Sequence, residues 1–206
     1  MLADRSVRDL IAAFAASDPT PGGGSASALA SAVGASLLQM VASLPKTRTG
    51  AGEERGALAG AAAALGELRQ QLTAAIDADT AAYDRVVAAY TLPKAAPDEL
   101  QARKAAIQSA LRAATDVPMD VMRLSARALT LAETVAAHGH GAAASDAGVA
   151  VALLRAGAHG AGLNVDINLG GVSDASYAER ARTERGRLAT DAAASAERAE
   201  SLLRHG

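Results

Sequence analysis

The stretch Leu65-Gly-Glu-Leu68-Arg-Gln-Gln-Leu72-Thr-Ala-Ala-Ile76-Asp-Ala-Asp79-Thr-Ala-Ala-Tyr83 repeats its bulky apolar residues at steps of three, four or seven. Such steps form one stripe along a helix of 3.6 residues per turn. The stripe extends back to Leu58 and on to Val86, Val87 and Tyr90, and predicts a helix from about Glu53 to Tyr90 that Leu92-Pro93 ends. A second long helix is expected from about Pro97 to Ala137, with a kink at Pro118. Each rod would span roughly 55 Å at about 1.5 Å per residue. A compact chain of 206 residues has no need of rods that long. The expectation is an all-α, multihelical bundle whose core is completed against a second copy, an intertwined homodimer.

Working outward, Ser6 to Ala16 reads as a short helix with Val7, Leu10, Ile11 and Phe14 on one face. Ser17-Asp18-Pro-Thr-Pro-Gly22-Gly23-Gly24 stops it, and a helix rich in Ser, Ala and Gly runs from about Ser25 to Ser43. Its small residues allow close approach by another backbone, so it is expected to be buried. After His138-Gly-His140-Gly, a fifth helix is expected from near Ser145 to near Ala161. Leu163 to Leu169 alternates apolar and polar residues and reads as a short strand or an undecided segment. A last helix, about Asp174 to Leu203, alternates charge signs and reads as a solvated outer element. No linker divides the chain, so one domain is expected over residues 1–206.

Half the residues are apolar, chiefly Ala, Leu and Val, with one Phe, three Tyr and no Trp. The formal charge is −2 with both signs mixed along the chain, which argues against a nucleic-acid partner. There is no Cys, so disulfides, a catalytic thiol and thiolate metal sites are excluded. No apolar run approaches the roughly 18 residues of a membrane span, and no membrane partner is expected. Leu10 to Ala16 is short and apolar like a leader core, but Asp4 and Asp9 precede it and speak against a secretory signal. A cytoplasmic protein is expected.

Asp79 is the most informative single residue. It falls three after Ile76 and four before Tyr83, on the apolar stripe, whereas Asp77 and Asp84 fall off it. A buried carboxyl whose pKa is raised by desolvation suits proton transfer. A structural Asp bonded to a backbone group or a facing Arg fits the same pattern. Gly22-Gly23-Gly24-Ser25 enters a helix and offers free N–H groups to an anion or a polarised carbonyl. A tight turn with Ser25 as helix cap is the plainer reading. It fits neither a phosphate-binding loop nor a dinucleotide fingerprint. Ser145-Asp146 reads as a capped helix start. Asn164, Asp166 and Asn168 either read the edge of a heterocycle or satisfy loop backbone. His138 and His140 lack a third ligand at zinc spacing, and no metal site is expected.

Together these pieces resemble the cyclodeaminase/cyclohydrolase family of folate one-carbon enzymes. The resemblance rests on Asp18-Pro-Thr-Pro-Gly-Gly-Gly-Ser-Ala-Ser-Ala, on Ile76-Asp-Ala-Asp-Thr-Ala-Ala-Tyr followed by Leu92-Pro-Lys, and on Ala114-Thr-Asp-Val-Pro. A fourth motif is Ser145-Asp-Ala-Gly-Val-Ala with Leu163-Asn-Val-Asp-Ile-Asn-Leu. Their order and spacing agree over nearly the whole chain. The resemblance implies an all-helical homodimer acting on a tetrahydrofolate derivative. It would either open 5,10-methenyltetrahydrofolate with water or close 5-formiminotetrahydrofolate with loss of ammonia.

The family's pattern places the catalytic acid on Asp79. It places the substrate's surroundings on Gly22, Gly23, Gly24, Ser25, Lys46, Arg48, Tyr83, Asp146, Asn164 and Asn168. No metal or cofactor is implied, because the methenyl carbon is already cationic. Two departures stand out. Where the family carries a basic run after the second helix, this chain has Leu44-Pro-Lys46-Thr-Arg48-Thr-Gly, and Gly139-His140 replaces a Gly-Asn pair. The hydrolytic reaction is expected ahead of the ammonia-releasing one, since the latter often accompanies a fused transferase domain. Binding of a folate without chemistry and a purely structural helical dimer are the other readings.

Overall fold

Pro and Gly punctuate the chain where its helices stop. The computed structural model describes residues 1–205; Gly206, the last residue of the expected domain, lies outside them. Among the described residues the α-helices are α1 (Val7–Phe14), α2 (Gly23–Ala42), α3 (Gly52–Thr91), α4 (Pro97–His138), α5 (Ala144–Leu169) and α6 (Ala175–His205). Short 3-10 turns, Leu2–Asp4 and Gly141–Ala143, precede α1 and α5. Extended pairing is confined, among the described residues, to a single bridge between Thr47 and Gly139. The all-α expectation holds.

The helices run up and down in sequence. Ser25 meets Asp79 and Gln39 meets Arg69, so α2 and α3 are antiparallel. Gly23 meets Asn164 and Gly34 meets Leu154, so α2 and α5 are antiparallel as well. Ion pairs Arg112–Asp174, Arg123–Glu184 and Arg198–Glu133 set α6 parallel to α4. Helix α4 packs on α3, α5 and α6, and α2 packs on α3, α5 and α4. Leu58, Leu65, Leu68, Leu72 and Ile76 of the α3 stripe are buried in the core these helices share. A fully buried Leu contributes about 1.5–3 kcal/mol.

The close approach of α2 to α5 follows from the small residues. A Cβ on Gly157 would collide with the Ser31 side chain and lie 2.7 Å from the Ser27 carbonyl, and one on Gly34 would lie 2.8 Å from the Ala150 carbonyl. The buried Ser125 hydroxyl lies 2.7 Å from the Val121 carbonyl and 2.8 Å from Ser31 Oγ, tying α4 to α2.

Several expectations need correction. Residues 163–169 are not a strand; they are the last two turns of α5, which starts at Ala144 and ends at Leu169. The alternation of Asn with apolar residues mimics a strand, but Val165 and Leu169 pack inward at helical spacing. The cap of α5 is Ala143, not Ser145. The cap of α2 is Gly22, not Ser25, whose hydroxyl is engaged elsewhere. On α1, Leu10 is buried but Val7 and Ile11 are exposed, so their face is not core. Helix α6 is not merely solvated: Ala178, Leu188, Ala192, Ala196 and Ala199 are buried. Helix α2 is long and apolar enough to cross a membrane, contrary to the sequence reading. Its Ser and Gly residues disguise 20 residues without one charge. Just over half of its apolar window (56%) is buried inside the bundle. Helix α4 is unbroken through Pro118, which is buried.

Candidate active site

Three segments remote in sequence converge at the start of α2. The glycines let α2 begin directly against α3: a Cβ on Gly24 would fall within the Asp79 carboxylate. The carboxylate therefore occupies the place a side chain would take. Asp79 Oδ2 accepts the Ser25 backbone N–H at 2.8 Å, and Ser25 Oγ lies 3.0 Å from the same oxygen. Ser25 Oγ also lies 2.8 Å from the Ile76 carbonyl and 3.4 Å from Thr80 Oγ1. Asp79 Oδ1 has no hydrogen-bond partner among the described residues, nor have the Gly23 and Gly24 N–H groups. From the α5 side, Asn164 Nδ2 stands 3.4 Å from the Cβ position of Gly23 and donates to the Gly160 carbonyl at 2.9 Å.

The backbone-bonded reading of Asp79 is realised, and the burial that the proton-transfer reading requires is present. The carboxylate caps α2 by taking a first-turn N–H, and its second oxygen is left free for a ligand. Burial pushes the Asp79 carboxyl above its ordinary value, against the downward pull of the Ser25 hydroxyl and N–H. The single Ser25 proton serves either state. With Asp79 ionised it points to Oδ2; with Asp79 protonated it turns to the Ile76 carbonyl and Ser25 Oγ accepts from the acid. The sequence reads Ser25 as a helix cap and, by the resemblance, as part of the substrate's surroundings. Its bond to Asp79 was invisible there, because 54 residues separate the two.

Tyr83 lies one turn beyond Asp79 and is exposed. Asn168 is one turn beyond Asn164 and donates to the Ala114 carbonyl at 2.7 Å, so it anchors α5 to α4 near the site. Asp166 faces away, paired with Arg185 at 2.7 Å. Asp77 is occupied elsewhere, accepting the Leu2 and Ala3 N–H groups. Lys46, Arg48 and Asp146 are not brought to Asp79 within one chain. They sit at the other end of the bundle, where Arg48 donates to the Ala136 carbonyl at 2.6 Å and its N–H to the His138 carbonyl. Asp146 and Asn164 are separated along α5 by about 27 Å, 18 residues at roughly 1.5 Å each. A groove of about 1020 Å³ between α3, α4 and α6 is lined by Arg123, Arg127, Glu184 and Arg198, and Asp79 does not border it.

The chain has relatives among known proteins. The family model for formiminotransferase-cyclodeaminase matches residues 6–187. The chain belongs to this family. It is 39% identical to a methenyltetrahydrofolate cyclohydrolase of Methylorubrum extorquens, over 96% of this chain and 95% of that protein. It is 32% identical to a formimidoyltransferase-cyclodeaminase of Rattus norvegicus over 88% of this chain, which spans about a third (34%) of that longer protein. The crystal structure of formiminotetrahydrofolate cyclodeaminase from Thermotoga maritima superposes with a TM-score of 0.88 at 26% identity, covering 99% of this chain and 98% of that one. The family resemblance and the enzyme class expected from the motifs are both supported by these relatives.

Proposed function

We propose that this chain is a methenyltetrahydrofolate cyclohydrolase, opening 5,10-methenyltetrahydrofolate with water to 10-formyltetrahydrofolate. The observation that carries the reading is the Asp79 carboxyl: half-buried, raised in pKa, fixed through one oxygen and free at the other. The methenyl carbon between N5 and N10 is already an electrophile. Water adds to it as Asp79 takes the water's proton, giving a neutral tetrahedral carbinolamine. The proton then passes to N5. The carbon–N5 bond breaks as the carbinolamine hydroxyl becomes the formyl carbonyl on N10 and yields its own proton to Asp79, which releases it to solvent. One carboxyl that takes, gives and takes a proton suffices. The unpartnered N–H groups of Gly23 and Gly24, at the positive end of α2, are placed to favour partial negative charge on oxygen at that carbon. The site's own groups ask for no metal or cofactor in these steps. A cytoplasmic location accords with this role in folate metabolism.

The relative matched over nearly its whole length favours hydrolysis over ring closure with ammonia loss. The cyclodeaminase relatives and the Thermotoga maritima structure support the second reading, 5-formiminotetrahydrofolate as substrate, and the same proton relay serves it. Loss of methenyltetrahydrofolate absorbance, measured above the spontaneous rate in a weakly buffering solution, tests the proposal. No acceleration at micromolar protein, together with ammonia release from the formimino compound, would replace it by the second reading.

A further inference from the structure

Where α5 and α6 run side by side, small residues face one another and leave a pocket of about 340 Å³. Arg155, His159 and Gly162 recur at steps of four and three on α5, and Arg185, Ala189 and Ala192 do the same on α6, so each set is one helix face. Ion pairs Arg155–Glu200 and Arg185–Asp166 set the two helices antiparallel and bracket the pocket at its ends. Met122 of α4 closes the floor with Ala158 and Ala192, all three buried. Side chains as short as Ala cannot fill the space between the helix axes. The volume is that of a small-molecule site, usually about 300–1,000 Å³. This pocket is separate from the Asp79 site. Gly162 and Asn164 are two residues apart, roughly 200° round α5, so the pocket and Asn164 lie on opposite sides of the helix.

The chemistry of the pocket is one-sided. Arg155, His159 and Arg185 line it, and among the described residues no carboxylate does. Glu200 and Asp166 hold the two guanidiniums from outside, at 2.9 Å through Arg155 Nη1 and 2.7 Å through Arg185 Nη2. The other guanidinium N–H groups have no partner among the described residues. Arg185 Nε is also buried, and a buried donor without an acceptor is costly. The Arg185 guanidinium lies against Gly162, where a Cβ would stand 3.4 Å from Nε and Nη2. Arg155 comes seven residues before Gly162, roughly 10 Å along α5, with His159 between them. We infer that this pocket binds a short organic dianion laid along α5, one anionic end on Arg185, the other on Arg155, and its apolar middle on the floor of Ala and Met122. A five-carbon dicarboxylate sets its carboxyl carbons roughly 5 Å apart. A charge-assisted hydrogen bond of about 2.8 Å at each end spans the rest. A monoanion leaves one guanidinium unanswered, and a compact phosphate reaches only one of them. The inference does not depend on the folate reading of the Asp79 site.

Calorimetric titration of the whole chain with glutarate at low ionic strength, where charge is least screened, tests the inference. Glutarate is expected to fill one site per chain. It is expected to bind about tenfold or more tightly than butyrate or inorganic phosphate, each of which meets one guanidinium. 3-Phosphonopropionate, with a phosphonate at one end, is expected to bind as well, and the tighter of the two dianions tells a dicarboxylate from a phosphate-bearing acid. Arg155→Gln and Arg185→Gln are each expected to weaken glutarate about tenfold or more. Ala189→Leu fills the pocket and keeps every charge, and is expected to abolish binding while circular dichroism stays helical. No binding of glutarate up to about 10 mM overturns the inference. So does equal binding of butyrate or phosphate, or glutarate binding that Ala189→Leu and both arginine variants leave unchanged. A wild type that does not act on methenyltetrahydrofolate ends the functional reading alone, and the titrations still decide this site.

Discussion

Asp79 answers two demands that oppose each other. It takes a first-turn N–H of α2, which favours its ionised form, and it is half-buried, which favours its protonated form; burial prevails. Relative to an unfolded value of 3.8, a raised folded value means stability that is full at low pH and is lost as pH rises through the raised value. Asp79→Asn keeps an acceptor for the Ser25 N–H and removes the buried charge. It is expected to melt no lower than wild type at neutral pH while turnover falls by about 100-fold or more. Calorimetry beside the absorbance assay checks both; a large loss of stability with turnover retained would make the residue structural. Ser25→Ala removes the one hydroxyl that holds the carboxylate down. It is expected to move the ionisation limb of the pH–rate profile to higher pH, where a merely structural role would leave that limb in place.

At the scale of the element, glycine decides where helices may touch. Gly157→Ala improves intrinsic helix propensity by about 1 kcal/mol. The added methyl meets the Ser31 side chain and the Ser27 carbonyl, and overpacking of this kind costs about 1–3 kcal/mol. The net expectation is a loss of up to about 2 kcal/mol in urea unfolding, since α2 and α5 cannot separate without opening the core. The loop that carries Lys46 and Arg48 is organised by Glu54. Its carboxylate accepts the Thr47 hydroxyl at 2.6 Å and the Thr49 and Gly50 N–H groups, which together hold its pKa down at about 2. Stability from such a group is present above its unfolded value of 4.5 and lost as pH falls toward about 2. Glu54→Gln is expected to melt below wild type at neutral pH, and melting curves taken across that window should show the gap closing.

For the whole molecule, the question is what covers a charge-free helix that the bundle leaves half open. The homodimer expected from the length of α3 and α4 would cover exposed Val33, and Val33→Glu would put a charge into that contact. The variant is expected to run as a helical monomer by light scattering and circular dichroism. A wild type that is itself monomeric at micromolar concentration would remove the expectation.

Much of this was legible in the sequence. The spacing of Leu58 to Ile76 fixes α3 and singles out Asp79, because helical geometry is local and repeats every turn. Pro and Gly mark the helix ends by removing or freeing backbone conformations that neighbours cannot restore. Other features were decided only by tertiary contact. The Asn-rich stretch 163–169 is helical because Val165 and Leu169 find a core, and alternation over seven residues cannot state which neighbours a segment will have. The cap of α2 is completed by a carboxylate 54 residues away, and the pKa of that carboxyl depends on what buries it. The separation of Lys46 and Asp146 from Asp79 is likewise a matter of where long helices begin and end in space. Sequence determined which residue types are available for chemistry and at what spacing, since residue type and period are written in it. Structure decided which of them meet, since burial and distance belong to the packed chain.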